Sequence, residues 1–559
     1  MRFTPPIKRG AAGDRFTHKA LRAALFVVVL ILAGYLRVSG LMWGLSSGYG
    51  HDLNFQPDEF VSVRGVLQLD LLRGHIKVPG AYFEGTFNYY LWAVPQAFLR
   101  VSLTEDAPRP DSRGVEKYSM LLYICRWMSV VFDLCTIAVV FLAIKEATQN
   151  FYPSLLGALC YAVLPMQAIY AHFMRPHVLS NLLCALVIWI SLKLRRSQRW
   201  QILLTVGILS GLGAATRYPV GIIVVIPCLY FLFNEGDDLP HSNSRFLERI
   251  RAFVAGPLWL IASGFVIGLF IGAPTLFLDP STVIRAITGD TLKYASLHQF
   301  SGVQLVNLTV IWRYITYLIP FAMYPLLWLV PYCAMLYLVF KPGLYRVSMP
   351  ILIFSVLYLY FMGKGYLGPY FARITMLLFP GFCLLVGLAC SDLQLAIKHN
   401  RTRAIVLSCV LLLFLGPSLT FDAAYARAMQ QKDARQALRE DLKNLIDESP
   451  ATIGVSNYGP YFYITMPAAK PLSSEKVTVQ LQDPTQAADF FLFGFSGQIE
   501  LSVMAANVRQ VEAQGEFRYQ RNYSVPVKMF GHDFNLERFP QDMTYPFPTI
   551  LLFRAKTPT

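Results

Sequence analysis

The run Ala24-Leu25-Phe26-Val27-Val28-Val29-Leu30-Ile31-Leu32-Ala33 is followed, shortly downstream, by Asn54-Phe55-Gln56-Pro57-Asp58-Glu59-Phe60. The first belongs to an apolar stretch at 20–42, long enough to cross a hydrocarbon core of roughly 30 Å as a helix. The second places two adjacent carboxylates just past the end of that stretch. Pro57 suits the first position of a helix, where its missing N–H costs nothing, and Asp58 and Glu59 then occupy the positive end of the helix dipole. Acids are common in first turns, so a charged helix cap is the ordinary reading of the pair. The rest of the chain decides whether they do more.

Of 559 residues 55% are hydrophobic and only 15% charged, with mean hydropathy +0.44. A soluble chain carries about 25% charged residues. The sequence is that of a polytopic α-helical membrane protein. Further apolar runs lie at 118–144, 153–171, 177–194, 201–216, 218–233, 252–278, 320–340, 349–362, 372–390 and 404–420, making about eleven expected spans. Short cytoplasmic loops are enriched in Lys and Arg. The N-terminus (Lys8, Arg9, Arg15, Lys19, Arg22), Lys193 to Arg196, Arg245 to Arg251, Lys341 to Arg346 and Lys398 to Arg403 share one side if the spans alternate. This orients the N-terminus to the cytoplasm and the C-terminus outside. Much of the +15 net charge sits in these loops, which points to topology and anionic lipid and argues against nucleic acid. The first span is too long for a secretory signal and shows no small-residue cleavage site. All nine cysteines fall in expected spans, so no disulfide framework or cysteine metal site follows.

A transmembrane domain over 1–420 and an external α/β domain over 421–559 are expected. The external loop 43–117 carries two amphipathic stretches, 58–72 and 87–101, too short to span and suited to the interface plane. In the first, Phe60, Val61, Val63, Val66 and Leu67 oppose Arg64, Gln68 and Asp70. Segment 421–559 starts with a charged helix expected at 427–447, followed by β-like runs at Ala451 to Val455, Asp489 to Phe495 and Thr549 to Phe553. The loop 279–306 carries a helical pattern at 281–297. No internal repeat is evident, so an inverted-repeat transporter finds no support.

Polar groups cluster at the outer ends of the expected spans, where lipid would penalise them unless they face water or protein. They are Asp58 and Glu59; His172, Arg175 and His177; Arg217; Asp290, Lys293, Tyr294 and His298; and the run Gly363-Lys364-Gly365-Tyr366-Leu367-Gly368-Pro369-Tyr370-Phe371-Ala372-Arg373. Acids facing cations and tyrosines suit a reaction in which a carboxylate activates a hydroxyl while cations hold a departing phosphate. Each residue also has a plain structural explanation. Arg217 and Lys364 can snorkel to the interface, the histidines can brace helix ends, and the Gly-Lys-Gly run can be a tight turn.

Phe-x-Pro-Asp-Glu at 55–59, Tyr-Ala-His-Phe-x-Arg-Pro at 170–176, Ala-Thr-Arg-Tyr-Pro at 215–219 and Tyr-Phe-Ala-Arg…Leu-Phe-Pro at 370–380 together resemble bacterial protein O-mannosyltransferase-like glycosyltransferases. These are cell-envelope membrane enzymes of the C-type glycosyltransferase fold, related to the aminoarabinose transferase and to oligosaccharyltransferase catalytic subunits. The resemblance implies transfer of a hexosyl or pentosyl group, with inversion, from a polyprenyl-phosphate carrier to a glycan, lipid or protein acceptor. It implies a multi-pass protein of the bacterial inner membrane with its C-terminal domain in the periplasm. Asp58 matches the family's catalytic acid, with Glu59 beside it. Arg175, Lys293, Lys364 and Arg373 are the candidates for the donor phosphate, and His172, His177, Tyr294, Tyr366 and Tyr370 for the rest of the substrate. Many relatives carry Asp after the Arg-Pro where this chain has His177, which puts a second essential carboxylate in doubt. Some relatives use a divalent metal and others do not, so no cofactor is assigned. A flippase or transporter of lipid-linked glycans would instead need ionisable groups near mid-membrane, for which Arg126, Asp133 and Arg313 are the nearest candidates. A scaffold subunit would need neither.

Overall fold

The computed structural model describes residues 12–556 apart from 46–54, 79–81, 83, 101–111, 196, 234–242, 298–306, 364–370, 397–404, 406–408, 410, 447–449, 457–461, 475, 483–487, 496–500, 515–516 and 537. It is mainly helical, with a small sheet near the C-terminus. Four helices among the described residues are long and apolar enough to cross a membrane: Lys19–Val38, Tyr118–Thr148, Tyr345–Met362 and Ala372–Gln394. Two bent pairs, Phe151–Ala162 with Pro165–Ala171 and Glu248–Ala255 with Pro257–Gly272, raise the number to six. Five shorter apolar helices, including His177–Lys193 and Trp200–Thr216, lie beside them. The expected eleven is therefore reached only if the short helices cross as well. Most of the apolar runs read from the sequence coincide with helical segments.

Both amphipathic stretches of the first loop form helices. The first, Pro57–Leu67, begins where the Gln56 side chain accepts from the Glu59 N–H at 2.6 Å, with Pro57 in its first turn. The second is Phe87–Leu99. The helical pattern at 281–297 is Pro280–Leu297. The expected charged helix at 427–447 is in fact two helices, Gly416–Met429 and Ala434–Ile446. Asp433, at the break, turns back on Arg435 and accepts from its N–H and its guanidinium, a local bond that competes with helix continuation.

Helices Trp200–Thr216 and Pro257–Gly272 pack through small residues, the arrangement that lets backbones approach closely in lipid. A Cβ on Gly211 would lie 2.1 Å from the Phe265 carbonyl oxygen, and one on Gly268 would lie 2.1 Å from that of Ile208. This contact fixes the end of Trp200–Thr216, and hence Arg217.

The C-terminal strands are β1 (Ala451–Ser456), β2 (Val477–Gln482), β3 (Phe490–Phe495), β4 (Phe517–Tyr523), β5 (Val527–Met529), β6 (His532–Phe534) and β7 (Thr549–Ala555). The main sheet runs β2-β1-β3-β7-β4, with β1 parallel to β2 and β3 and with β7 antiparallel to β3 and β4. β5 and β6 form a separate pair. The small pair and the loop after it pack on the helical part: Tyr324 and Phe421 meet Phe534 of β6 and Phe539, with Phe421 and Phe539 stacked at 5.5 Å. One continuous core holds Val29, Phe173, Phe379, Ile453 and Leu552 alike. All nine cysteines are free.

Gly211→Val should force these two helices apart. A loss of about 1–3 kcal/mol is expected from overpacking, read as a lowered midpoint in detergent thermal unfolding, whereas Gly256→Ala, with nothing within 4 Å of its Cβ, should leave the midpoint nearly unchanged.

Candidate active site

Asp58 and Glu59 are neighbours in the chain, but they face different surroundings. Glu59 is fully buried: Oε1 accepts from Arg126 Nε at 3.0 Å and from the Met174 N–H at 2.7 Å, and Oε2 accepts from Arg126 Nη2 at 2.7 Å. Arg126 also donates to the carbonyls of Leu41 and Trp43. The expected catalytic role of Glu59 finds no support in this geometry, because both oxygens accept from Arg126 and are sealed from solvent. Its charge ties the helix Pro57–Leu67 to the long helix Ser112–Thr148 and to the run at 172–176.

The Asp58 side chain is about a quarter exposed, at 27%. Oδ2 accepts from Arg373 Nη1 at 2.6 Å, and that same nitrogen lies 3.1 Å from the Tyr170 hydroxyl. The guanidinium lies over the Phe371 ring at 3.8 Å. Burial works to raise the Asp58 carboxyl, but the guanidiniums of Arg373 and Arg175 outweigh it and hold the carboxyl below the ordinary carboxylate value. The group is an ionised acceptor at neutral pH.

Arg175 is buried and committed. It donates to the Asp58 carbonyl at 2.7 Å, to Ser62 Oγ at 3.1 Å and to Glu84. It serves to position the helix start, and only its Nε lacks a partner among the described residues. Glu84 also accepts from the Tyr89 hydroxyl at 3.0 Å. The Glu84 turn lies against the end of helix Trp200–Thr216. Gly85 has φ +106°, a Cβ there would sit 2.5 Å from the Ala215 carbonyl, and Asn88 Nδ2 donates to the Thr216 carbonyl at 2.9 Å.

The Arg217 guanidinium, on the next residue, has no hydrogen bond or ion pair among the described residues, and it feels Tyr358, Glu84, Arg373 and Arg175. His177 is 2% exposed, with neither ring nitrogen partnered; it packs edge-on against Tyr170 at 5.1 Å and feels Arg217, Arg373 and Arg175. The Tyr218 hydroxyl is likewise buried without a partner. Buried polar atoms of this kind are normally satisfied; His177 lies within the field of the three arginines, whereas the Tyr218 hydroxyl is nearer Tyr82 and Tyr90.

The remaining candidates separate cleanly. His172 braces the backbone: its ring nitrogens lie 2.7 Å and 2.8 Å from the carbonyls of Ala168 and Ser39, which gives its expected substrate contact no support. Lys293 and Tyr294 lie on helix Pro280–Leu297 with side chains outside the described residues, as Lys364, Tyr366 and Tyr370 also are. Among the described residues no group of three or more His, Cys, Asp and Glu side chains could hold a metal ion. Sequence reasoning weighed Arg217 as an interface residue and passed over Glu84, Tyr170 and Asp542. Tyr170 opens a motif that had been singled out; the two acids carry no local signal.

Residues 122–269, about a quarter of the chain, match the family of dolichyl-phosphate-mannose-protein mannosyltransferases, and this bears out the resemblance read from the motifs. The match takes in Arg126, His172, Arg175, His177 and Arg217. No curated protein matches the chain. Among solved structures, the archaeal oligosaccharyltransferase AglB from Archaeoglobus fulgidus, in complex with an inhibitory peptide and a dolichol-phosphate, is 13% identical over 81% of this chain and 64% of that one, with TM-score 0.47. ArnT from Cupriavidus metallidurans bound to undecaprenyl phosphate is 12% identical over 95% of this chain and 97% of that one, with TM-score 0.44. The chain thus spans just under two thirds of the length of the archaeal enzyme.

Glu59→Gln should cost about 3–5 kcal/mol of stability, because it leaves Arg126 buried without its counter-charge. Asp58→Asn should cost far less. Thermal unfolding of both variants in one detergent checks this, and equal shifts would contradict the division of labour between the two acids.

Proposed function

We propose that this chain is an inverting membrane glycosyltransferase that moves a sugar from a polyprenyl-phosphate carrier to an acceptor hydroxyl. The observation that carries the reading is one partly exposed carboxylate, Asp58, paired to Arg373 beside an uncommitted Arg217 and an unpartnered His177. The acceptor O–H gives its proton to the free side of the Asp58 carboxylate as its oxygen bonds to the anomeric carbon. The bond from that carbon to the phosphate oxygen breaks on the opposite face, and the phosphate leaves with the electron pair. Arg373 and Arg217 meet that charge; Arg suits the task through its paired donors. The family match, whose description names a dolichyl-phosphate sugar, supports the same class of donor. An almost wholly apolar groove of about 570 Å³, lined in part by Ile315, Ile319, Leu352, Val356, Leu359 and Phe382, offers space for an isoprenoid tail.

We place the reaction on the outer side of a bacterial inner membrane, with the N-terminus in the cytoplasm, the transmembrane domain over 1–420 and the α/β domain 421–559 outside. The Lys- and Arg-rich loops support this orientation. So do the bonds by which the C-terminal part reaches the segments of Asp58 and Arg373, from Arg435 to the Phe55 carbonyl and from Asp542 to the Arg373 N–H. A transporter would need intramembrane charges free to change partners, whereas Arg126 is paired with Glu59, and Asp133 with Arg37, fully buried.

With a radiolabelled polyprenyl-phosphate sugar as donor, Asp58→Asn should lower turnover at least about 100-fold, the usual scale for a general base, while leaving the fold intact. Near-normal turnover by that variant would sink the assignment. Arg217→Ala should weaken use of the donor, and Arg217→Lys should restore it only in part, since a point charge cannot reproduce the guanidinium fork. A reporter fused after Thr559 should be active only when it works outside the cytoplasm.

A further inference from the structure

Arg373 is held at both ends. Its guanidinium meets Asp58, Tyr170 and Phe371, and its backbone is gripped from the C-terminal part of the chain. Asp542 lies on the short helix Gln541–Thr544 and is fully buried. Its Oδ1 accepts from the Ala372 N–H at 3.1 Å and its Oδ2 from the Arg373 N–H at 2.8 Å. These two N–H groups open the 3₁₀ helix Ala372–Leu378, where no intrahelical acceptor exists for them. The helix bearing Asp542 is itself anchored: the Tyr425 hydroxyl donates to the Met543 carbonyl at 2.9 Å, and Arg435 donates to the Tyr545 carbonyl at 3.0 Å. Arg435 also donates to the Phe55 carbonyl at 2.8 Å, three residues ahead of Asp58. The segment that clamps Arg373 is thus tied to the one that presents Asp58.

We infer that Asp542 is a positioning residue through which the C-terminal α/β part sets the placement of Arg373, and thereby of the guanidinium paired to Asp58. Two ionised oxygens serve two N–H donors. A protonated Asp542 would present a hydroxyl donor to one of them, and that N–H would lose its acceptor. Burial raises the Asp542 carboxyl to about 6, so the clamp should loosen as pH falls through that range. The titratable groups around it are Arg373, Tyr170, Tyr317 and Tyr425, all of which keep their charge state between pH 5 and 7.5. The consequence for the donor rests on the proposed function; the clamp does not.

The test is hydrogen–deuterium exchange on the whole protein in detergent, corrected for intrinsic amide rates. In the wild type, exchange at 372–373 should rise about tenfold between pH 7.5 and 5. Asp542→Asn should exchange fast at both values, because its amide nitrogen is a donor where an acceptor is needed. Tyr425→Phe loosens the same helix yet keeps the carboxylate, so its pH step should remain. Exchange independent of pH in the wild type, or a step unchanged in Asp542→Asn, would overturn the proposal. If Asp542→Asn fails to fold, the wild-type step alone decides. Undecaprenyl phosphate, titrated at pH 7.5 alone because its own phosphate ionises near 6, should bind Asp542→Asn about tenfold more weakly. Equal binding alongside lost protection would overturn the positioning role. A wild type that does not bind it would count against the donor reading, and the exchange result would still judge the clamp.

Discussion

The bidentate contact between Glu59 and Arg126 is the constraint on which the rest of the site depends. Two charges fully removed from water are costly, and their attraction offsets this only when hydrogen bonds satisfy the remaining lone pairs and protons. Here they do: Met174 N–H completes the carboxylate, and the Leu41 and Trp43 carbonyls take the guanidinium. One pair thereby joins the end of the first span, the helix Pro57–Leu67, the long helix Ser112–Thr148 and the run that bears Arg175. With Glu59 turned inward, helical geometry leaves Asp58 on the open side. The adjacency of the two acids is what converts a structural ion pair into a means of aiming a carboxylate.

The arginines around the site come from distant parts of the chain, and each is placed by backbone contacts. Arg217 follows a helix end fixed by glycine packing below and by Asn88 beside it. Arg373 follows the capped start of a 3₁₀ helix. Arg175 is bound so fully to Asp58, Ser62 and Glu84 that it stiffens the site and has little left for a ligand. The difference between a committed and an uncommitted arginine is thus one of available donors, since all three sit within the same electrostatic neighbourhood.

Much of this architecture was legible because apolar runs and amphipathic stretches speak through local periodicity. The helices at 57–67, 87–99 and 280–297 and strands β1, β3 and β7 fall close to where the pattern placed them. The site was legible only where a motif held several participants together. Asp58 and Arg373 stood in such runs, and the structure pairs them. Glu59 and His172 stood in them as well, yet each faces inward, and which way a side chain points near a helix end depends on tertiary partners. Asp542 is a lone acid between Gln541 and Met543, and its meaning arises only from the two N–H groups that the fold brings to it from a segment 170 residues earlier.

On the proposed reading, the contact between Asp58 and Arg373 is the resting state of the site. In that state the base is weak, because the same guanidinium that would hold a phosphate is lowering its proton affinity. A donor phosphodiester carries one negative charge, as Asp58 does, and competes for Arg373 through two non-bridging oxygens that suit the guanidinium fork, with more charge to offer as the bond to the anomeric carbon breaks. Once the arginine turns to the phosphate, Asp58 loses the largest of the influences that offset its burial, Arg175 alone of the two guanidiniums remains, and its affinity for a proton rises. The acceptor hydroxyl then meets a stronger base than exists in the empty site. Carboxylate and leaving-group site are thus coupled through one shared cation, and the order of events follows from that sharing: donor first, then proton transfer.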